Sequence, residues 1–479
     1  MKSLPELLEE VKVRVVPTER EKEKVLTKVE KVRLRLERAF SKLPYPVEVL
    51  LQGSVAKDTW LKGEMDVDIF VRFSPELDKE EIASMTLSTV KKLFGERRCV
   101  ERYAEHPFVT VRLLEMNVDV VPCYRSEKGE WKSATDRTPY HTDFVLSKLS
   151  KEEKNEARLI KRFAKGIGVY GAEIKVGGFS GLLCELMAHH FGSFLKMAEA
   201  MARLRLPLLI DPMKYYEGRE DEARDAFGTG FIVVDPIDRK RNVAAAVTQT
   251  KLNEMVVASA AFLNGPSIRF FFPKVKDLSL GQLKRKILAE KRQLLAIQIP
   301  KIEAPPDILW GQLYSARDKV LTIMKNGDFD VMRIAAWTDE KRISLIVMEL
   351  GTTILPHLKL KTGPPVTSPH TLRYLDLYAG GGAAAGPWIQ EDRLFILARR
   401  RYTEAATYLK KAIKEYVKAG AIPSLVAKEL ESGAKILVGG EIPASLKGKD
   451  AGAFLSGFID GRPEWMRSVW AESVRKKRT

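Results

Sequence analysis

The chain has 479 residues, 45% of them hydrophobic and 30% charged. This composition fills sizeable cores, excludes overall disorder and leaves room for two to four domains of ~100–200 residues. Lysine and arginine total 80 against 63 acidic residues, a net charge of +17; the excess fits a nucleic-acid partner and equally a charge-rich thermophilic surface, so motifs must decide.

The N-terminal stretch MKSLPELLEEVKVRVVP is charged and amphipathic, without the apolar core or cleavage site of a signal peptide. No apolar run approaches the ~18 residues of a membrane span. A cytoplasmic protein with no membrane partner is therefore expected. Three cysteines and six histidines are too few and too scattered for a disulfide framework or a zinc module.

Residues 6–43 carry Val25, Val29, Val32 and Leu36 at helical spacing, which predicts one long amphipathic helix ended by Pro44 and Pro46. VEVLLQGSVAKDTW reads as a buried strand that stops in a turn at Gly53-Ser54. MDVDIFVRF is a strand, 79–94 a helix, and FVTVRLLEMNVDVVPCY two more strands. That order predicts an α/β domain around a small mixed sheet.

From about 151 the pattern turns helical. KNEARLIKRFAKGIG is amphipathic with a basic side, and Ser180 is placed to cap one helix over GLLCELMAHHFGSFLKMAEAMARL. FIVVDPIDRKRNVAAAV reads as a strand, a turn and a helix start. A helix over 251–263 runs to Asn264-Gly265-Pro266, a domain-boundary signal. Over 266–405, WGQLY, MRIAAW, RISLIVMEL and RLFILARRRY read as strands around a helix near 314–325, a second α+β unit. AGGGAAAGPW over 379–388 is a flexible turn or linker; it lacks the Lys-Ser/Thr of a phosphate loop. Residues 402–437 read as helical, and the end, WMRSVWAESVRKKRT, is basic.

The chemistry concentrates in Gly53-Ser54, Asp66-Val67-Asp68 and the later Asp119. Side chains alternate along a strand, so Asp66 and Asp68 leave by the same face. Asp119 lies among apolar residues in MNVDVVP. If its strand neighbours the first, three carboxylates converge into a set for hard divalent cations, Mg²⁺ where phosphates complete the shell. Two such ions serve an in-line phosphoryl displacement. Gly53 lets backbone approach a triphosphate, and Ser54 and Lys57 supply a hydroxyl and a cation for it.

This order resembles the nucleotidyltransferase superfamily related to DNA polymerase β. The words GSVAKDTWLKGEMDVDIFVRF, RYAEHPFVTV, VDVVPCY, SATDRTPYHTDF, RLIKRFAKGIGVYGAE, GFSGLLCELM and VVDPIDRKRNVAAAV closely resemble the archaeal, class I CCA-adding enzymes. The resemblance is dense over about residues 20–272; beyond, it follows the domain plan. It implies an α+β multidomain protein: a polymerase β-like head with a mixed sheet over 1–150, a helical neck over 151–265 that binds nucleotide and primer end, an α+β body over 266–405, and a helical tail region over 406–479, the last two holding tRNA. The implied activity is addition and repair of the 3′-terminal CCA of tRNA from CTP and ATP without a nucleic-acid template, with Mg²⁺ as cofactor, and the resemblance makes a homodimer plausible.

By the same resemblance Asp66, Asp68 and Asp119 are the metal-binding catalytic carboxylates. The first is commonly glutamate in the family; either acid ligates Mg²⁺. Gly53, Ser54 and Lys57 match the triphosphate contacts, where lysine in place of the common arginine keeps the charge and loses the fork. His141, Lys161 and Tyr170 match further nucleotide contacts with Thr138 beside them, and Arg241 matches the arginine that helps select the base. The residues alone would not single these out: Lys161 shares a basic helix face with Arg158, Arg162 and Lys165 that reads as solvated, and His141 reads as part of a surface turn. Arg399, Arg400, Arg401, Arg475, Lys476, Lys477 and Arg478 are phosphate candidates, singly more often plain surface, and Trp465 and Trp470 read as packing. The competing readings are a poly(A) polymerase-like enzyme and a non-catalytic RNA-binding protein. The bacterial and eukaryotic class is disfavoured, because EDRLF at 391–395 has phenylalanine where its template motif has arginine.

Overall fold

The computed structural model describes residues 3–103, 107–114 and 116–476. They form two compact units: Met1–Val275 with Arg462–Thr479, and Lys276–Gly461. Ala104–His106 of the RYAEHPFVTV word, and Lys477 and Arg478 of the basic end, lie outside the described residues. No helix among the described residues is long and apolar enough to cross a membrane.

The first unit opens with α1 (Leu4–Val15) and α2 (Glu19–Phe40), two helices where one was expected. Pro17 has no amide hydrogen to continue a helix, and Thr18 restarts one through a capping box with Glu21. There follow β1 (Glu48–Gln52), one helical turn α3 (Gly53–Ala56), β2 (Asp66–Phe73), α4 (Lys79–Phe94), β3 (Cys99–Tyr103), β4 (Pro107–Arg112) and β5 (Asn117–Tyr124). The five strands form one sheet in the order β1-β2-β5-β4-β3, the mixed sheet anticipated from the sequence with β3 added. Only β2 and β5 run parallel within it. One face buries Val67, Ile69, Val71, Val118 and Val120 against Val29, Leu36 and Phe40 of α2 and Ile82 and Val90 of α4. Alternation then sends Asp66, Asp68 and Asp119 to the opposite face.

A helical layer follows: α5 (Thr138–Lys148), α6 (Lys151–Gly166), α7 (Gly181–Phe191) and α8 (Phe194–Ala202), then β6 (Leu208–Ile210), α9 (Glu220–Phe227), β7 (Phe231–Asp235), β8 (Asp238–Asn242) and α10 (Gln249–Asn264). Ser180 caps α7 as expected, but Gly192, at φ 73°, ends it and splits the anticipated single helix. Where a turn and a helix start were expected after FIVV, residues Asp238–Asn242 form strand β8, because Asn242 accepts a hydrogen bond from Val233 N–H at 2.9 Å and closes a hairpin onto β7. The core of this layer centres on Phe163, Phe194, Phe262, Phe270 and Phe271. Trp465, from the C-terminal helix Glu464–Lys476, stacks on Phe270 with centroids 5.3 Å apart, and Trp470 meets Trp465 edge-on at 6.2 Å.

The second unit has two sheets. β9 (Leu294–Pro300), β10 (Val331–Thr338) and β11 (Ile343–Leu350) belong to one, and β12 (Leu358–Pro365), β13 (Ala385–Gln390) and β14 (Arg393–Arg399) to the other. β15 (Lys435–Val438) joins the first sheet by pairing with β9. Several local expectations are corrected here. WGQLY lies inside the helix Pro306–Asn326, whose buried Leu309, Leu313, Ala316, Val320 and Ile323 repeat at helical spacing. Residues 402–437 are not one helical stretch: helices Ala405–Lys418 and Ser424–Ser432 are followed by β15. The last four of the ten residues of the supposed linker 379–388 belong to strand β13. Residues 406–461 thus pack with the second unit and 462–476 with the first.

Trp465 is 1% exposed, so Trp465→Ala empties part of the aromatic core of the first unit. It should cost ~3–5 kcal/mol, read from denaturant unfolding of the intact chain; a loss below ~1 kcal/mol would show that this helix is not docked.

Candidate active site

The register across the first sheet sets one row of side chains: Gln52 opposite Asp68, Asp68 opposite Asp119, and Asp119 opposite Thr110. Directly opposed residues share a face. Thr110 Oγ1 donates to Asp119 Oδ1 at 2.6 Å. Asp66, two residues before Asp68, is exposed on the same face. Gly53, at φ +69°, turns the chain out of β1 directly against this row; a Cβ there would lie 1.9 Å from Asp68 Oδ2. Glycine is therefore required twice over, for its conformation and for the space.

The row is electrostatically strained. Burial, then the Asp119 and Asp66 charges, push the Asp68 carboxyl up to about 7, with Lys57 opposing. Burial and Asp66 also raise Asp119, against the hydrogen bond from Thr110. As placed, no three His, Cys, Asp or Glu side chains among the described residues stand close enough to enclose a metal ion. The donor chemistry nevertheless fits a hard divalent cation: the donors are all oxygens, they repel one another, and a positive charge between them would remove the cost of ionising Asp68.

Beside the row, the basic face of α6 is not solvated but grips the loop that follows α3. Arg158, fully buried, donates through Nε to Trp60 O at 2.8 Å and pairs with Asp58. Lys161 Nζ donates to Thr59 Oγ1 at 2.9 Å and to Glu185 Oε1 at 2.7 Å. Arg162 and Lys165 both pair with Glu64. Lys57 meets the same buried Glu185 from the loop side, 3.0 Å from Oε2. A Cβ at Gly181 would lie 3.2 Å from the Tyr170 hydroxyl and 3.8 Å from Lys161 Nζ, so Tyr170 and Lys161 flank the start of α7 together.

A second buried carboxylate, Asp235 at the end of β7, gathers the remaining residues. Its oxygens lie 2.9 Å from His141 Nε2, accept from Arg241 Nη1 at 2.7 Å, and accept Ile237 N–H at 3.0 Å. Burial lowers His141 in spite of Asp235. Nε2 is the ring atom that faces the carboxylate, so it is the one placed to carry the proton of this contact. His141 lies on α5, not in a surface turn, because Asp136 accepts hydrogen bonds from the amides of Tyr124, Lys132 and Ser133 and anchors the start of α5, where Thr138 is the first residue. Arg241 also lines a cavity of about 710 Å³ with Arg137, Ala172, Ser180, Phe227 and Asp238.

Three domain families match the chain: the nucleotidyltransferase domain over 29–141, the second domain of tRNA nucleotidyltransferase over 155–272, and the C-terminal domain of CCA-adding enzymes over 291–439. The CCA-adding enzyme of Pyrobaculum islandicum is 35% identical over 413 residues, covering 86% of this chain and 94% of its own. That of Halobacterium salinarum is 34% identical over 403 residues, covering 84% and 87%. The Sulfurisphaera tokodaii enzyme is 35% identical over 397 residues, covering 82% and 89%. The chain belongs to the CCA-adding enzyme family.

In this family member the structure gathers the expected residues into three groups. Gly53, Asp66, Asp68 and Asp119 lie on the sheet face, with Ser54 next to Gly53 in α3; Lys57, Lys161 and Tyr170 surround Glu185; His141 and Arg241 share Asp235. Glu185, Asp235, Thr59 and Thr110 were not singled out from the sequence. A signal existed for Glu185, the one acid in the apolar helix GLLCELMAHHF, since such a charge is rarely buried without partners. Asp235 follows the apolar run FIVV in the same way. Arg400, a phosphate candidate in the second unit, is paired with Asp328.

Gly53→Ala forces the Asp68 carboxylate out of its place. Nucleotide incorporation should fall by about a hundredfold with far-UV circular dichroism unchanged; retention of near wild-type rate would mean that the Gly53–Asp68 contact does not set the active geometry.

Proposed function

We propose that the carboxylate row on β2 and β5 is the catalytic centre at which this protein adds C, C and A to the 3′ end of tRNA, and repairs incomplete ends, from CTP and ATP. The observation that carries this reading is the pairing of Asp68 with Asp119 across parallel strands, with Gly53 packed on Asp68. Asp66, Asp68 and Asp119 would hold two Mg²⁺ ions, which when bound polarise the α-phosphate and offset charge on the attacking and leaving oxygens. The RNA 3′-hydroxyl attacks the α-phosphate, its proton passes to the carboxylate face, and pyrophosphate leaves.

The other residues bind and orient. Gly53 leaves backbone open to the triphosphate, and Ser54, Lys57, Lys161 and Tyr170 contact it, with Thr138 and His141 toward the sugar side. Arg241, held by Asp235 through one nitrogen, keeps the rest of its donor fork for acceptors of cytosine or adenine. One pocket must take C first and A later, so the growing RNA end reshapes it and completes the template. The net charge of +17 supplies phosphate contacts suited to an enzyme that must accept every tRNA by shape. The reading includes a cytoplasmic location, where tRNA is processed, and a homodimer, which rests on the resemblance alone.

Primer extension on tRNA lacking its CCA should give two additions with CTP and a third only when ATP is also present. A ladder with ATP alone would move the protein to the polyadenylating branch. Asp68→Ala should abolish incorporation and leave tRNA binding within about threefold, because it removes a metal-binding acid and no cation that meets phosphate; unchanged incorporation would sink the catalytic assignment. Arg241→Ala should raise misincorporation of UTP and GTP by about tenfold or more; retained C-then-A fidelity would remove Arg241 from base selection.

A further inference from the structure

Glu185 is 1% exposed, and its three polar contacts all come from site elements. Oε1 accepts from Lys161 Nζ at 2.7 Å and from Thr59 Oγ1 at 2.5 Å, and Oε2 accepts from Lys57 Nζ at 3.0 Å. Lys57 is 7% exposed, Lys161 3% and Thr59 0%. These contacts join three separate pieces of chain: the loop after α3, helix α6 and helix α7. Burial would raise the Glu185 carboxyl, but the Lys161 and Lys57 ammonium groups and the hydrogen bonds from Lys161 and Thr59 hold it well below the usual carboxylate range.

The charge count carries the argument. Two lysine amines face one carboxylate: with both protonated the cluster carries one positive charge in excess, and burial, which lowers Lys161 in spite of Glu185, opposes that excess. A dry site tolerates such an excess poorly unless a further anion completes it. Lys57 also acts electrostatically on both Asp68 and His141, so its charge is felt at the carboxylate row and at the Asp235 group.

We propose that Glu185 is a positioning residue for the incoming nucleotide: it fixes Lys57 and Lys161 as a single cationic unit for the triphosphate, with their spacing set by its two oxygens. The inference rests on the reading above that these lysines meet the triphosphate. Glu185 touches no substrate; its effect passes through the lysines. Glu185→Gln keeps the shape but removes the charge and one of the two acceptor oxygens. The two ammonium groups then repel each other and lose their fixed places. Glu185→Asp keeps the charge and withdraws it by one methylene.

The test is steady-state CCA addition with CTP and ATP varied separately, together with the Tm of each variant. Glu185→Gln should raise KM for both nucleotides by about tenfold, with kcat lowered less than about threefold, and Glu185→Asp should fall between. Added to Lys57→Met/Lys161→Met, Glu185→Gln should raise KM no further, since nothing is left to position; this triple variant also buries no unpaired charge and remains measurable if the single variant folds poorly. A lower Tm with unchanged KM would make Glu185 a packing residue only and overturn the proposal. So would a KM rise that adds in full to that of the lysine variant. If Lys57→Met/Lys161→Met leaves KM unaltered, the triphosphate assignment itself fails and takes this inference with it. Raised KM in the lysine variant with unaltered KM in Glu185→Gln rejects the role of Glu185 alone.

Discussion

Asp68 and Asp119 stand opposite each other across a parallel strand pair, and the first unit is organised around the cost of keeping them there. At the ~5 Å spacing of neighbouring strands, two ionised carboxylates repel by ~3 kcal/mol at an effective dielectric of ~20. A sheet would ordinarily avoid that pair. It persists because each strand is fixed by its other face: Val67, Ile69 and Val71 on β2, and Val118 and Val120 on β5, are almost fully buried. With a side-chain period of two, a one-residue slip would expose those valines and bury the acids. The hydrophobic core therefore enforces an arrangement that the electrostatics oppose, and the site stays poised for a cation.

The helical layer applies the same logic with opposite sign. Arg158, Lys161 and Lys57 are cations removed from water, and each is matched by an acid or a carbonyl from another segment. Glu185 takes both lysines and Asp58 takes Arg158, while Asp235 plays the same part for His141 and Arg241. Each carboxylate links a residue from before 150 to one from after it: Glu185 joins Lys57 to Lys161, and Asp235 joins His141 to Arg241. The layers are fastened at the points where the nucleotide's triphosphate and base are proposed to lie. Breaking one partner of such a buried pair leaves an unpaired charge, so fastening and binding depend on the same atoms.

How far this was legible follows from the range of the forces. Elements whose pattern is local were readable: the alternation of DVDIFVRF, the helix over 79–94, and the Ser180 cap. The carboxylate trio and Gly53-Ser54 were readable because their spacing survives in the chain. The Lys57–Glu185 contact spans 128 residues and the His141–Asp235 contact 94, and no local pattern carries that information. The misread elements fail for a related reason. WGQLY has strand-forming residues, but its core-facing neighbours repeat at 3.6 and the helix wins. β15 follows two helices and becomes a strand only because the edge of β9 is available to it.

The two-unit division gives the basic C-terminal helix a particular meaning. The chain leaves the first unit near 275, builds the whole second unit, and returns at 462 to place Trp465 on Phe270. The second unit is thus joined to the first by two strands of chain rather than one. In this architecture the return of Trp465 to the aromatic core, rather than any residue of the second unit, fixes where the second connection is anchored.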